Sequence, residues 1–110
     1  PDGMENLKTY LDVIFDKSTG LNAHLEENIG PDAMIGHSYF YDMETSSAPE
    51  LIWKYSVLTQ LVDVLDAANY LDKANIEQIN EILQPSQFFL QSIGENLHQK
   101  LRVRKLSEED

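Results

Sequence analysis

The chain has 110 residues, 42% of them hydrophobic, with 19 acidic side chains against 8 basic ones and a formal net charge of -11. That length fits one domain with a small core, and that charge opposes both broad binding to a phosphate backbone and docking on an anionic membrane surface. The absence of cysteine excludes a disulfide scaffold, a zinc finger and a thiol nucleophile; it suits a cytoplasmic setting.

The chain opens Pro1-Asp2-Gly3 without a starting methionine, which reads as the cut edge of a longer protein or, alternatively, as a processed terminus. No signal-peptide pattern and no apolar run of roughly 20 residues is visible, so no membrane span is expected. From about Met4 to Lys17, the residues Leu7, Tyr10, Leu11, Ile14 and Phe15 recur at helical spacing on one face. Ser18-Thr19-Gly20 interrupts that pattern: glycine is poor inside a helix, and Ser18 or Thr19 can cap a new one. A second helix is expected from about Thr19 to Asn28, with Leu21 and Leu25 inward, unless the two form one bent helix. Gly30-Pro31 stops it, since glycine suits a left-handed cap and proline cannot continue the ladder.

Residues from Ile35 to Ser47 read as irregular, or as containing one short extended stretch. Ser47 and Glu50 have the spacing of a capping box, with Pro49 in the first turn. The helix that follows, to about Ala67 or Ala68, carries Leu51, Ile52, Trp53, Tyr55, Val57, Leu58, Leu61, Val62, Val64 and Leu65. These cover over half its circumference and mark it as the central element. Asn69 to Asp72 make a turn, with Asp72 a cap for a short helix from about Lys73 to Leu83. Gln84-Pro85-Ser86 breaks the chain again, with Ser86 the expected cap of the next helix. A last helix is expected over about Gln87 to Arg104, with Phe88, Phe89, Leu90, Ile93, Leu97 and Leu101 apolar. Nothing reads as a strong strand. The expected class is all-α, a single small bundle of four to five helices.

Chemical motifs are sparse. There is no phosphate loop of the form GxxxxGK[ST], no GxGxxG and no HExxH, and no GxSxG elbow. His24, His37 and His98 match no metal spacing, and His24 and His98 read as surface polar residues on helices. Glu26-Glu27 and Asp63 with Asp66 read as solvated helix faces rather than paired catalytic carboxylates. The one basic cluster, Lys100 to Lys105, reads as a solvated helix end placed against the carbonyl pole of its dipole, not as a nucleic-acid arm. Trp53 and Tyr55 could line a small-molecule pocket, although core packing is the simpler use of both.

The run Ile35-Gly36-His37-Ser38-Tyr39-Phe40 stands apart. It sets a glycine, an imidazole, a hydroxyl and two aromatics together with neither helical nor strand period. Two uses are open. Gly36 can make a bend while His37 and Ser38 cap backbone and Tyr39 and Phe40 fill the core; or His37 and Ser38 can face a ligand.

With this run, the segment from Leu21 to Leu65 resembles the C-terminal helical lid of McrB-type AAA+ proteins, the nucleotide-hydrolysing motors of modified-cytosine restriction systems. Their lid carries an LN-x-R-[IL] helix, a short loop with Gly and Asp, an IGHSYF motif and a helix of the form IW-x(3)-I-x-PLL-x-EY. This chain has Leu21-Asn22-Ala23-His24-Leu25, then Gly30-Pro31-Asp32, then the complete IGHSYF at Ile35 to Phe40, then Leu51-Ile52-Trp53 and the helix to Leu61. It departs at His24, where the family has arginine, at Thr59-Gln60-Leu61 in place of Pro-Leu-Leu, and at Asp63-Val64 in place of Glu-Tyr. The lost arginine removes a fixed cation with a planar donor fork.

The resemblance implies a lid-like part over about 19–84 and an additional C-terminal helix over about 87–104 that the family does not explain. It implies no catalysis in this fragment, and a parent hydrolase that binds GTP or ATP with magnesium. Gly36, His37, Ser38 and His24 become candidates to face nucleotide or a neighbouring subunit. The implied partners are the preceding AAA+ α/β domain and neighbouring subunits of a ring, with no direct nucleic-acid contact, no membrane and no metal site in the lid. The alternative is a stand-alone helical protein–protein interaction module in which IGHSYF is only a packing joint.

Overall fold

A computed structural model of the chain describes residues 2–36, 38–93 and 100–106. Helix α1, Asp2–Phe15, is followed by α2, Leu21–Asn28, and by one 3-10 turn, Pro31–Ala33. Helix α3 is Ser38–Thr45. The next rod is continuous but not uniform: α4, Pro49–Ile52, runs into a π-helical turn, Trp53–Val57, and then into α5, Leu58–Ala67. Helix α6, Lys73–Leu83, ends in a 3-10 turn, Gln84–Ser86, and the chain finishes as an antiparallel pair, β1 Phe88–Ile93 and β2 Lys100–Lys105.

The fold is therefore mainly helical but not all-α. The helix expected over Gln87 to Arg104 is a pair of strands. Its apolar residues do recur at helical spacing, but Phe88 and Leu90 on β1, and Leu101 and Val103 on β2, also alternate with period two. Burial follows the second pattern, with Phe88 and Leu90 almost fully covered. The basic cluster is consequently a strand, not a helix end. Gln87 breaks the helical path with φ +68 and ψ +18, and the Ser86 hydroxyl donates back to the Leu83 carbonyl at 2.7 Å instead of capping a new helix.

Other boundaries also have local causes. Asp16, not Ser18 or Thr19, organises the first turn: its carboxylate accepts from the amides of Ser18 and Thr19, both at 2.9 Å. Those amides, with the two hydroxyls, hold the Asp16 carboxyl down at about 2. Gly20 then opens α2 from an extended conformation. A Cβ there would lie 2.4 Å from the Asp16 carbonyl oxygen and 2.6 Å from its nitrogen, so the two turns approach too closely for any other residue. The expected capping box at Ser47 and Glu50 does not form. Ala48 occupies the cap position, and its amide is taken by the Ser46 hydroxyl at 3.0 Å. Glu50 pairs instead with Lys105 at 2.8 Å, joining α4 to the end of β2.

The core runs through every helix except the short α4. Tyr10, Val13 and Ile14 of α1 meet Leu21 and Leu25 of α2, Met43 of α3, Leu58, Leu61 and Leu65 of α5, and Ile76, Ile79 and Leu83 of α6. Trp53 lies at its centre, with 0% of its surface exposed. Its ring stacks on Tyr10 at 4.4 Å between centroids and 6° between planes. Burial, and then the nearby Glu50 charge, push the Tyr10 phenol up to about 12, so this partner stays neutral. In the π turn the Leu58 amide bonds the Trp53 carbonyl, five residues back. The extra residue resets the helical phase so that Trp53, Val57, Leu58, Leu61 and Leu65 are all buried, while Leu51 and Tyr55 face out. A pocket lined jointly by Trp53 and Tyr55 is thereby ruled out.

Two measurements check this account. Trp53→Ala removes the largest core side chain and should cost about 3–5 kcal/mol in urea unfolding; a loss below about 1 kcal/mol would show that the ring is not central. Asp16 has a folded pKa below its ordinary 3.8, so its contribution is complete above that value and is lost as pH falls toward about 2. The stability gap between the wild type and Asp16→Asn should therefore close across that window; a gap independent of pH would refute the turn's charge dependence.

Candidate lid site

The segment from Ile29 to Ser38 is built by three local constraints. Ile29 and Gly30 both donate to the Leu25 carbonyl, at 2.8 and 3.0 Å. Gly30 has φ +145, a region closed to other residues, and ends α2 as its sequence suggests. Pro31–Ala33 makes one tight turn, with the Ala33 amide on the Gly30 carbonyl at 3.1 Å. The backbone then extends at Met34. Alternation puts Ala33 and Ile35 into the core and leaves Met34 and Gly36 outward.

The third constraint is a side chain. Asn22, only 5% exposed, accepts the Ile35 amide on Oδ1 at 2.7 Å and donates Nδ2 to the Ile35 carbonyl at 2.9 Å. The carboxamide matches an extended backbone unit as a paired strand would, and satisfies groups that would otherwise be buried without partners. Sequence inspection noted Asn22 only as part of a motif. Its role depends on a contact 13 residues away, which no local pattern reveals.

Ile35 is thus fixed, and the residues after it are presented outward. Gly36 and Ser38 are exposed, and Ser38 opens α3. The stretch expected to be irregular is thus largely helix. Gly36 does not make a left-handed bend: Gly30 is the one glycine with positive φ among the described residues, and a Cβ on Gly36 would meet nothing within 4 Å. Tyr39 packs partly on the core, as the joint reading expects. His37 and His98 lie outside the described residues. Gly36 borders a groove with Phe15, Met34 and Asn22.

His24 sits on α2 but lines a different groove, with Glu27, Gln78 and Glu81. Its Nε2 is 3.1 Å from the Tyr70 hydroxyl, and the two rings meet edge to face at 6.1 Å. Burial, and then Asp72, raise the Tyr70 phenol. The position taken by arginine in the family therefore holds an imidazole already engaged with a tyrosine. Glu26, Glu27, Asp63 and Asp66 are exposed, as expected of solvated faces. Among the described residues no group of three or more His, Asp or Glu side chains could hold a metal ion, and no helix is long and apolar enough to cross a membrane.

The arrangement of a short helix, a Gly-Pro turn, a clamped Ile-Gly and a Trp-bearing helix coincides with a known family. Residues 16–65 match the family model described as the alpha-helical lid domain of McrB. This segment is similar to a McrB-type lid. No curated protein and no solved structure matches the chain. The McrB-lid match begins at Asp16, which organises the turn before α2, and ends at Leu65, the last buried residue of α5. It contains the whole path from the Asp16 turn through the Asn22 clamp to Trp53. Helices α1 and α6 and the strand pair lie almost wholly outside it, yet supply Tyr10, Ile79 and Phe88 to the same core.

The clamp and the glycine give opposite expectations. Asn22→Ala should cost about 1–3 kcal/mol, because it strands the Ile35 amide and carbonyl in a buried position, and it should speed amide exchange at Ile35. Gly36→Ala should change stability by less than about 0.5 kcal/mol, since its Cβ enters open space. A larger penalty at Gly36 than at Asn22 would overturn this description of the joint.

Proposed function

We propose that the chain acts as the lid of a McrB-like AAA+ nucleotide hydrolase and couples the state of a bound nucleotide to movement of its neighbours. The observation that carries this reading is the presentation of Gly36 and Ser38. They are exposed while the residue before them is locked by Asn22. A site residue needs both properties: a rigid base, and a partner that is met only when another domain arrives. The Ser38 hydroxyl and the amides of the first turn of α3 are donors of a kind suited to anionic oxygens. His37, between Gly36 and Ser38 in the chain, adds an imidazole.

In this reading the parent protein binds GTP or ATP with magnesium on its preceding α/β domain, in the cytoplasm. Residues 36–38 contact the nucleotide phosphates or an adjoining subunit, and His24 on its separate groove serves a subunit contact. The sequence of this chain contains no phosphate loop, so it performs no hydrolysis by itself. Its part is mechanical. A pull on residues 36–38 displaces Ile35, the carboxamide of Asn22 transfers that displacement to α2, and α2 is packed against α1 and α6. The body then turns with the loop, as in other rigid-body switches.

One observation favours a second reading, in which the domain is an interaction module. Tyr41, Leu51 and Tyr55 are 70%, 53% and 64% exposed on the neighbouring elements α3, α4 and the π turn. Large apolar side chains on such a surface suit a protein partner.

Replacement of His37 or Ser38 by alanine separates the readings. The isolated chain should lose less than about 0.5 kcal/mol of stability, whereas hydrolysis by the full-length protein should fall by about tenfold or more. Unchanged turnover and assembly would leave IGHSYF as a packing signature and favour the interaction module.

A further inference from the structure

The strand pair lies outside the family match and has one edge covered and one edge open. The covered edge belongs to β1. Asn80 of α6 accepts the Leu90 amide at 2.7 Å and donates to the Leu90 carbonyl at 3.0 Å. Both backbone groups of Leu90 therefore point away from β2, and Leu90 faces Val103 in a pair that exchanges no ladder bonds. Independently, the Leu106 amide bonds the Gln87 carbonyl at 2.8 Å, three residues along in the same register. Antiparallel pairs alternate, so both observations fix one parity. Phe89–Arg104 and Gln91–Arg102 exchange bonds across the strands. Leu101, Val103 and Lys105 aim their N–H and C=O groups outward, away from β1.

Among the described residues, no further backbone group bonds those outward groups. This row of alternating donors and acceptors is an unused edge. Its charge is unlike that of the rest of the molecule. Lys100, Arg102, Arg104 and Lys105 are half of the eight basic residues of a chain with net charge -11. Lys105 is paired with Glu50, and Arg104 reaches Gln91 across the strands at 3.5 Å. Arg102 is exposed on the outer face.

We propose that β2 is a docking edge that takes up an extended acidic segment of a partner protein as a third strand. The outward groups of Leu101, Val103 and Lys105 supply the main-chain bonds, and the exposed Arg102 selects acidic side chains on the outer face. A second copy of β2 is disfavoured there, because it would set Lys and Arg opposite Lys and Arg. A nucleic acid offers no alternating amide and carbonyl groups to the edge.

The probe is an acetylated, amidated peptide of alternating Glu and Val about six residues long, the length of an ordinary strand. It is compared with the Lys–Val counterpart, with the same Glu–Val peptide N-methylated at every amide, and with oligo-dT. The Glu–Val peptide should bind the intact chain and slow amide exchange at Leu101, Val103 and Lys105. N-methylation removes the strand donors but keeps the charge, and should weaken binding by about tenfold or more. Arg102→Glu should weaken the Glu–Val peptide similarly and admit the Lys–Val peptide. Equal binding of the N-methylated peptide, protection confined to other residues, no binding of the Glu–Val peptide, or preferential binding of oligo-dT would each overturn the proposal.

Discussion

The carboxamide of Asn22 is the constraint on which the lid geometry depends. It ties α2 to the backbone of Ile35 through both of its polar groups. Few side chains can do this. Aspartate would lose the donor and bury a charge; leucine would fill the volume but strand an amide and a carbonyl. The net gain from two such bonds is modest, about 0.5–1.5 kcal/mol each, whereas the cost of leaving their partners unmade is larger. The clamp therefore specifies one position for Ile35 more than it adds stability. Everything exposed after Ile35 inherits that position. Asn80 repeats the device at Leu90, so the extended backbone at Ile35 and that of β1 are each fastened to a helix by one asparagine.

The core complements these clamps. Helix α1 places Tyr10 flat on Trp53, and the π turn lets that helix bury Trp53 and Leu58 together without a break. The same phase shift sends Tyr55 to the surface, where Lys54 Nζ lies 5.3 Å from its ring centroid. The wide turn places Leu58 and Trp53, five residues apart, against the same core.

Much of this was legible in the sequence. Helices α1, α2, α5 and α6 follow from spacing, and Lys73–Leu83 agrees at both ends. The Gly30-Pro31 stop and the IGHSYF resemblance were also readable. Three features were not, each for a physical reason. Helix α3, Ser38–Thr45, is short and only weakly amphipathic, so its formation depends on packing against α1 and α4. The strand pair is concealed because Leu97 and Leu101 extend a helical pattern by coincidence, while Leu101 and Val103 alternating with Arg102 and Arg104 was the available strand signal. The clamp partners Ile35 and Leu90 lie 13 and 10 residues from their asparagines and leave no periodic trace. The site residues themselves were chosen from the motif, and the structure gives Gly36 and Ser38 an exposed setting without a bend at Gly36.

The match to the McrB lid stops at residue 65, but the physical unit does not. Without α1 the face of Trp53 would lose Tyr10; without α6 and β1 the core would lose Ile79, Leu83 and Phe88. The segment 16–65 alone would expose that surface to water, at about 25 cal/mol per Å² of apolar area. The flanking elements are therefore needed to complete the packing around Trp53 and to hold the segment as one body. The Lys105–Glu50 pair closes this frame between the last strand and the first turn of the Trp53 helix. Both partners are partly exposed, so the pair itself adds little stability. Its value is positional, because it holds the end of β2 beside the central helix and so joins the strand pair to the helical body.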